Sequence, residues 1–341
     1  MALRPLEGFR HFTTHHCVTG SMRHIYAHND YAISEEMLLG LGGGVSFSYW
    51  HFKGQTPFMG GRGGFRPPFM EEVAGGRTGV TITWQMTSSS RKAEKTLLEM
   101  LVAGQLAMIQ CDMGFLPYFD FGDTDYHFGW HIVVVCGYDA ESGQVLIADR
   151  DEELHPVSLQ DLAKARGSTF QPFPPKHKWY AFDFSGKRSP TAAEARQAIA
   201  EQAVAMLEPP ISNVGVKGIR KAAGSLLNWP QQLGEEELRF TLFNSFIFID
   251  AQGSTGGGLF RYMFSRFLEE VAEIAGEGRL AGSATAFQHI GDRWQEVAEL
   301  FKAAQTDGDP ARLLPKIAAP MQEIADLEQA AWEELRTWAA G

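Results

Sequence analysis

The spacing of hydrophobic residues changes near residue 185. Before that point, short apolar runs such as 80–84 and 131–138 alternate with glycine-rich segments, a pattern that predicts strands. After it, Ala, Glu and Leu recur at helical spacing. The sequence therefore predicts an α+β protein. Its first domain, 1–184, has a helix packed on an antiparallel sheet, and its second, 185–341, is mostly helical.

Local signals place the elements within these two regions. A helix is expected over 17–28, and a short turn should join the strands 131–138 and 144–148 into a hairpin. The run over 240–249 is apolar enough for a buried helix or a buried strand, and its periodicity does not choose between them. The helices of the second half are predicted at about 190–207, 213–228, 258–276, 281–303 and 311–339.

Composition and charge exclude several classes of protein. The 341 residues are 44% hydrophobic and 21% charged, as in an ordinary globular protein. No apolar run reaches the roughly 20 residues of a membrane helix, and the first 17 residues contain no signal-peptide core. A cytoplasmic location and no membrane partner are expected. With 30 Lys and Arg against 41 Asp and Glu, nucleic acid is not an expected partner either.

Cys17 is the candidate nucleophile. Three sparse cysteines argue against a disulfide framework and leave open one catalytic thiol with two buried ones, Cys111 and Cys136. A thiol at the start of the predicted helix 17–28 lies at the positive end of the helix dipole, which favours the thiolate. A small buried cysteine is the alternative, although the flanking His, Thr and Ser residues are unusual for an apolar pocket.

His131 and Asp149 are the candidate partners of this thiol. If the hairpin turn centres near residue 141, Asp149 lies opposite Val133 or Val134, within one or two residues of His131. A carboxylate there can orient the imidazole and stabilise its cation. Cysteine, histidine and acid then follow the chain order of papain-like enzymes. A purely structural role for His131 is the alternative.

Two further segments could bind a substrate. Tyr118, Asp120 and Asp125 belong to a loop of aromatic and acidic residues before His131, which could recognise a cationic amine or could simply be solvated. Three glycines at 256–258 precede a predicted helix that contains Arg261, and a helix start with an arginine can hold a phosphate. The alternative is that these glycines form an ordinary loop and helix cap without a ligand. The carboxylates do not follow the calcium-loop spacing, and no metal site is expected.

Ordered motifs run through both halves of the chain. In the first half they are HCVTGS at 16–21, Ser34-Glu35 with GLGGG at 40–44, Leu116-Pro117-Tyr118 and HIVVVCGYD at 131–139. In the second half they are GSTGGGLFR at 253–261 and FLEE at 267–270. Together they resemble the N-terminal domain of the butirosin biosynthesis protein H family and the companion domain of unknown function that follows it there.

This resemblance implies an activity. The butirosin protein is an acyltransferase that moves an aminoacyl group from an acyl carrier protein thioester to an amine of an aminoglycoside, and its fold is related to papain-like and bacteriocin-processing cysteine peptidases. The resemblance implies Cys17 as nucleophile, His131 as base and Asp149 as the residue that orients it. It also implies a carrier-protein or CoA donor, a small amine acceptor, and phosphopantetheine on the donor rather than a permanently bound cofactor.

One feature departs from the papain-like pattern. Those enzymes place a glutamine shortly before the cysteine to complete the oxyanion hole, whereas this chain has none before Gln55. The Cys17 backbone N–H and a side chain such as Thr19, Ser21 or His16 would have to serve. Glu35 is assigned with Thr19 and Ser21 to the substrate-binding set.

Two other functions fit the same fold. The acyl-enzyme could react with water, which would make the protein a cysteine peptidase, amidase or thioesterase. The protein could instead be a non-catalytic binding protein. A homo-oligomer is also compatible with the sequence.

Overall fold

The computed structural model describes residues 3–64, 66–122 and 126–341. The strands are β1 (Val45–Trp50), β2 (Phe58–Arg62), β3 (Thr81–Gln85), β4 (Ala107–Cys111), β5 (His131–Asp139), β6 (Gln144–Ala148), β7 (Leu154–Ser158) and β8 (Trp179–Asp183). The helices are α1 (Cys17–His28), α2 (Glu35–Leu41), α3 (Met70–Arg77), α4 (Ser90–Val102), α5 (Leu159–Gly167), α6 (Ala192–Leu207), α7 (Gly215–Ser225), α8 (Trp229–Gln232), α9 (Glu235–Ile249), α10 (Arg261–Ala275), α11 (Arg279–Thr306) and α12 (Leu314–Ala340).

The predicted α+β class is confirmed, and the chain forms two compact units. One contains the residues up to Leu38 together with Thr78–Ser189, and the other contains Leu39–Arg77 with Pro190–Gly341. The segment 39–77 therefore groups with the helical second half rather than with the residues around it in sequence. The division into sequence domains 1–184 and 185–341 stays a prediction. Among the described residues, no helix is long and apolar enough to cross a bilayer.

The first unit is built on a six-stranded antiparallel sheet with the order β3-β8-β4-β5-β6-β7. In the β5–β6 hairpin, Val134 pairs with Ala148, and a bulge shifts the register between Val135 and Gly137. Asp149 directly follows Ala148, which sets it across from the beginning of β5. The predicted hairpin and its register are confirmed.

The sheet has its hydrophobic core against α4 and α5. Alternate residues of the central strands, such as Val133, Val135 and Ile147, pack with Leu97 of α4 and Leu162 of α5. Helix α1 contacts β5, the strand that begins with His131. Both Cys111 and Cys136 are fully buried in this sheet, as predicted. Burial raises the pKa of each thiol to about 12.

The second unit settles the ambiguous run over 240–249, which belongs to helix α9. Three glutamates occupy its first turn, where their negative charges interact favourably with the positive end of the helix dipole. The buried residues of α9 recur at helical spacing and include Leu238, Leu242, Phe246 and Ile249. A short antiparallel pair, β1 with β2, belongs to this unit. Strands β2 and β7 and helix α3 were not predicted from the sequence, because they are short and lack long apolar runs.

Candidate active site

The thiol of Cys17 lies at the N-terminus of α1. The residue before it, His16, has extended backbone angles, and the helix begins at Cys17 itself. The first backbone N–H groups of a helix have no partner within the helix, so the positive end of the dipole is next to this thiol. Cys17 is buried, and at 9% it is slightly more exposed than its neighbours Val18 and Met22 on the same helix.

His131 connects this thiol to Asp149. The imidazole Nε2 donates to the Asp149 Oδ2 across 2.7 Å, and both side chains are buried. Cys17 forms a side-chain hydrogen bond with His131. Because Nε2 is used by Asp149, Nδ1 is the ring nitrogen left for Cys17. The structure thus brings together the three residues that the sequence nominated, in the order thiol, imidazole and carboxylate.

The electrostatics of the pair favour a cationic imidazole. Burial on its own would lower the pKa of His131, but the charge and hydrogen bond of Asp149, with a smaller contribution from Cys17, raise it to about 9. Burial acts in the opposite direction on Asp149, and there the charge of His131 and its hydrogen bond hold the pKa below the usual range. An imidazolium beside Cys17 stabilises a thiolate.

Tyr118 supports this pair from the other side. Its hydroxyl donates to the same Asp149 oxygen across 2.9 Å, and its ring stacks on His155 with centroids 4.0 Å apart. Phe119 presents its ring edge-on to His131 at 5.5 Å. The Tyr118 hydroxyl, predicted to contact substrate, is therefore engaged with Asp149, a contact that the sequence alone did not reveal.

The predicted side-chain donors of the oxyanion hole are buried and form internal contacts. The Thr19 hydroxyl lies 3.4 Å from Oε2 of Glu35 and 3.2 Å from Nδ1 of His16. Ser21 Oγ donates to the Ile132 carbonyl across 3.5 Å. These contacts do not fit the predicted substrate-binding roles of Thr19 and Ser21. The Cys17 backbone N–H as oxyanion donor stays a prediction.

Glu35 does not lie where a substrate contact was predicted. Its side chain is 1% exposed. Its two carboxylate oxygens accept hydrogen bonds from the backbone N–H groups of His15 and His16, at 2.8 and 3.2 Å. The carboxylate thus binds the backbone that leads into Cys17 rather than solvent.

The described residues of the acidic loop form no defined amine site. Asp120 is exposed, and its Oδ1 accepts the Gly122 N–H at 2.9 Å, as in a tight turn. Asp125 lies outside the described residues. The two oxygens of Asp151 each lie 2.9 Å from the Nε2 of His155. Recognition of a cationic amine by this loop stays a prediction.

The predicted phosphate contact of Arg261 is wrong. The guanidinium is fully buried, and its Nε donates to Oε1 of Glu328 across 2.7 Å. Glu328 also accepts hydrogen bonds from the indole N–H groups of Trp294 and Trp332, at 3.0 and 2.8 Å. Gly258, three residues before Arg261, serves close packing, since a Cβ there would lie 2.7 Å from the backbone of α11. No phosphate could reach the arginine without displacing this core.

One cluster of described residues has the spacing of metal ligands. Atoms of His15, Glu35 and Glu36 lie within 4.8 Å of one another. Both Glu35 oxygens already accept backbone hydrogen bonds, and His15 is exposed, so the cluster does not by itself make a metal site. The expectation that the protein uses no metal stays a prediction.

Comparisons with known proteins find two family models that match the chain. The model of the family "Butirosin biosynthesis protein H, N-terminal" matches residues 16–150, a range that includes Cys17, His131 and Asp149. The model "Domain of unknown function (DUF4872)" matches residues 160–335. No curated protein matches the chain. The name of the first family refers to butirosin biosynthesis and points to a biosynthetic enzyme of specialised metabolism. The chain belongs to the family in which a butirosin biosynthesis protein H N-terminal domain precedes a DUF4872 domain.

Proposed function

We propose that this protein is an acyltransferase that carries an acyl or aminoacyl group as a thioester on Cys17. The observation that supports this most directly is the hydrogen-bonded series from Cys17 through His131 to Asp149. A thiolate at a helix N-terminus beside an imidazolium is an activated nucleophile. The buried carboxylate holds the imidazole in one orientation.

In the first half-reaction the Cys17 thiolate attacks the carbonyl carbon of a thioester donor. The tetrahedral intermediate carries its negative charge on oxygen, where the Cys17 backbone N–H is the proposed donor. The C–S bond to the donor then breaks. His131 gives its proton to the departing thiolate, and the acyl group remains as a Cys17 thioester.

In the second half-reaction an amine attacks the Cys17 thioester. Acylation removes the thiolate charge, which is one of the contributions that raise the pKa of His131. His131, which gave its proton to the departing group in the first half-reaction, takes the proton of the attacking amine. The C–S bond to Cys17 breaks, the amide is released, and the thiolate–imidazolium pair is restored.

The resemblance to the butirosin family suggests the classes of donor and acceptor. We propose an acyl carrier protein or CoA as donor, with the thioester on phosphopantetheine, and a small amine as acceptor. The cytoplasm is the proposed location. Arg261 has no part in donor recognition here, because its guanidinium is buried against Glu328.

Intact-protein mass spectrometry tests the proposal. The protein is incubated with a panel of acyl-CoA and acyl-pantetheine thioesters, and one donor is expected to add the mass of a single acyl group. The addition should be absent from Cys17→Ala and retained in Cys111→Ala and Cys136→Ala, which are the matched controls. The proposal would be contradicted if the acyl group were found on Cys136, or if no donor in the panel transferred an acyl group to the protein.

A second stage separates transfer from hydrolysis. The isolated acyl-enzyme is divided between buffer and buffer with a panel of small amines, and the loss of the acyl mass is followed with time. Transfer predicts that one amine accelerates the loss and yields the amide. A loss rate that no amine changes, with free acid as the product, would assign the chain to the hydrolases instead.

A further inference from the structure

A carboxylate from a separate helix binds the backbone immediately before α1. Glu35 is the first residue of α2. It accepts hydrogen bonds from the backbone N–H groups of His15 and His16, which are 20 and 19 residues away in the chain. Its Oε2 also lies 3.4 Å from the Thr19 hydroxyl, one helical turn further along. Three contacts thus join one buried carboxylate to the residues on both sides of Cys17.

Helix α1 lacks the local features that usually satisfy a helix N-terminus. Its N-cap residue, His16, makes no side-chain capping hydrogen bond, and its first turn contains no acidic residue. Helix starts are ordinarily stabilised by a side-chain oxygen at the N-cap or an acid in the first turn. Glu35 supplies a negative charge from a distance in sequence, and its oxygens accept the N–H groups of the N-cap residue His16 and of His15 before it.

We propose that Glu35 is a positioning residue that fixes the backbone at His15 and His16 and thereby sets the Cys17 thiol against His131. A carboxylate can accept both backbone N–H groups at once, whereas a carboxamide has one acceptor oxygen and would face the second N–H with its own NH₂. The inference deepens the proposed function and rests on it only in taking Cys17 as the nucleophile.

The contact should depend on pH. Burial raises the pKa of Glu35 to about 7, and the charge of Glu36 adds to this, while the backbone N–H groups of His16 and His15 and the charge of Arg23 oppose it. Above that pH the carboxylate accepts both N–H groups. Below it, one oxygen carries a proton and becomes a donor, so one of the two backbone contacts weakens.

Electrostatics alone would give the opposite sign. A negative charge near Cys17 disfavours the thiolate, so removing the charge of Glu35 would raise thiol reactivity if charge were all that mattered. Positioning predicts that removing the carboxylate lowers the reactivity. The sign of the change therefore distinguishes the two effects.

The test measures the alkylation of Cys17 by iodoacetamide, located by peptide mapping, between pH 5.5 and 9. Wild type, Glu35→Gln and Glu36→Gln are compared. For Glu35→Gln we expect a rate lower by about tenfold at pH 8, the size of one hydrogen bond to a charged group, and the loss of the inflection near pH 7. Glu36→Gln, the neighbouring acid, should keep the rate at pH 8 and move the inflection to lower pH. Inflections that belong to Cys17 and His131 should persist in all three proteins.

A second variant covers the case in which Glu35→Gln does not fold, as judged by circular dichroism. Glu35→Asp keeps the charge but is one methylene shorter, so it cannot reach both N–H groups, and it should also lower the rate at pH 8. A wild-type or higher rate in the folded Glu35 variants would overturn the inference. If wild-type Cys17 is alkylated but takes no acyl group from any donor, the proposed function fails while the positioning role of Glu35 is still decided by these rates.

Discussion

Each unit of this protein buries a pair of opposite charges, and the two pairs differ in what surrounds them. In the helical unit, Arg261 meets Glu328, whose oxygens also accept two tryptophan N–H groups. In the sheet unit, His131 forms a hydrogen-bonded ion pair with Asp149, and the imidazole also forms a hydrogen bond with the Cys17 side chain. Both pairs are almost inaccessible to solvent.

The difference teaches that burial of a charge pair does not mark a functional site. Arginine stays protonated at any ordinary pH, so the Arg261 pair can only hold its surroundings in place. Histidine can gain and lose a proton in the neutral range, and here it contacts a cysteine thiol at a helix N-terminus. A titratable partner next to a reactive atom, rather than burial itself, distinguishes the candidate active site.

The largest expected effect comes from removing the imidazole. His131→Ala should slow acyl-enzyme formation by about 10²- to 10⁴-fold, because both the thiolate partner and the proton donor are lost. Asp149→Ala should slow it less, since the carboxylate acts only through His131. Both rates are measured by quenching the acylation reaction at successive times and determining the acylated fraction by mass spectrometry. A stronger effect of Asp151→Ala than of Asp149→Ala would show that Asp149 is not the orienting acid.

Removing the arginine of the other pair should change stability and not chemistry. Arg261→Met leaves Glu328 as an uncompensated buried charge, which should lower the free energy of unfolding by about 3–5 kcal/mol. Arg220→Met is the matched control. Arg220 pairs with Asp326 at 2.6 Å, but both side chains are exposed, so the loss should be within about 1 kcal/mol. Urea unfolding gives both values, and alkylation of Cys17 in folded Arg261→Met should equal that of the wild type.

The histidine pair should also show itself in the pH dependence of stability. The pKa of His131 is about 9 in the folded protein, above its ordinary value of 6.5. The stabilisation is therefore fully present below pH 6.5 and is lost as the pH rises through 9, with a total on the order of 3 kcal/mol. Without the carboxylate, burial lowers the pKa of His131 and this contribution disappears.

The measurement compares urea unfolding of wild type and Asp149→Asn between pH 6 and 9.5. The stability difference between them should be greatest at pH 6 and should shrink towards pH 9.5. Asp120→Asn, an exposed acid in the preceding loop, should show a difference that does not change with pH. A constant difference for Asp149→Asn would mean that His131 is neutral in the folded protein.

The smallest effect is expected for the hydroxyl that supports Asp149. Tyr118→Phe keeps the ring on His155 and removes the donor to Asp149, so acylation at saturating donor should slow by about tenfold. Tyr126→Phe is the control in the same segment and should leave the rate unchanged. An increase in the Michaelis constant without a change in the maximal rate would return Tyr118 to the substrate-binding role that the sequence predicted.

Short-range patterns in the sequence predicted much of the fold and the central residues of the site. The alternating run of β5, the turn after it and the apolar run of β6 determine a hairpin register, and that register sets Asp149 near His131. Helix α1 was expected from 17 to 28, the bounds it has. These features depend on residues close together in the chain, where periodicity and turn chemistry are informative.

Tertiary structure alone decided the partners of the polar side chains. Arg261 and Glu328 are 67 residues apart, and Glu35 is 19 residues from the backbone N–H of His16. A charged residue reads the same in sequence whether it will face solvent, a substrate or a buried partner. Which of these occurs depends on what distant segments remove from water, because an ion in the interior must find its counterpart there. The sequence therefore nominated Arg261 and Glu35 as binding residues, and the packing of each unit placed Arg261 in a core ion pair and Glu35 against the backbone that leads into Cys17.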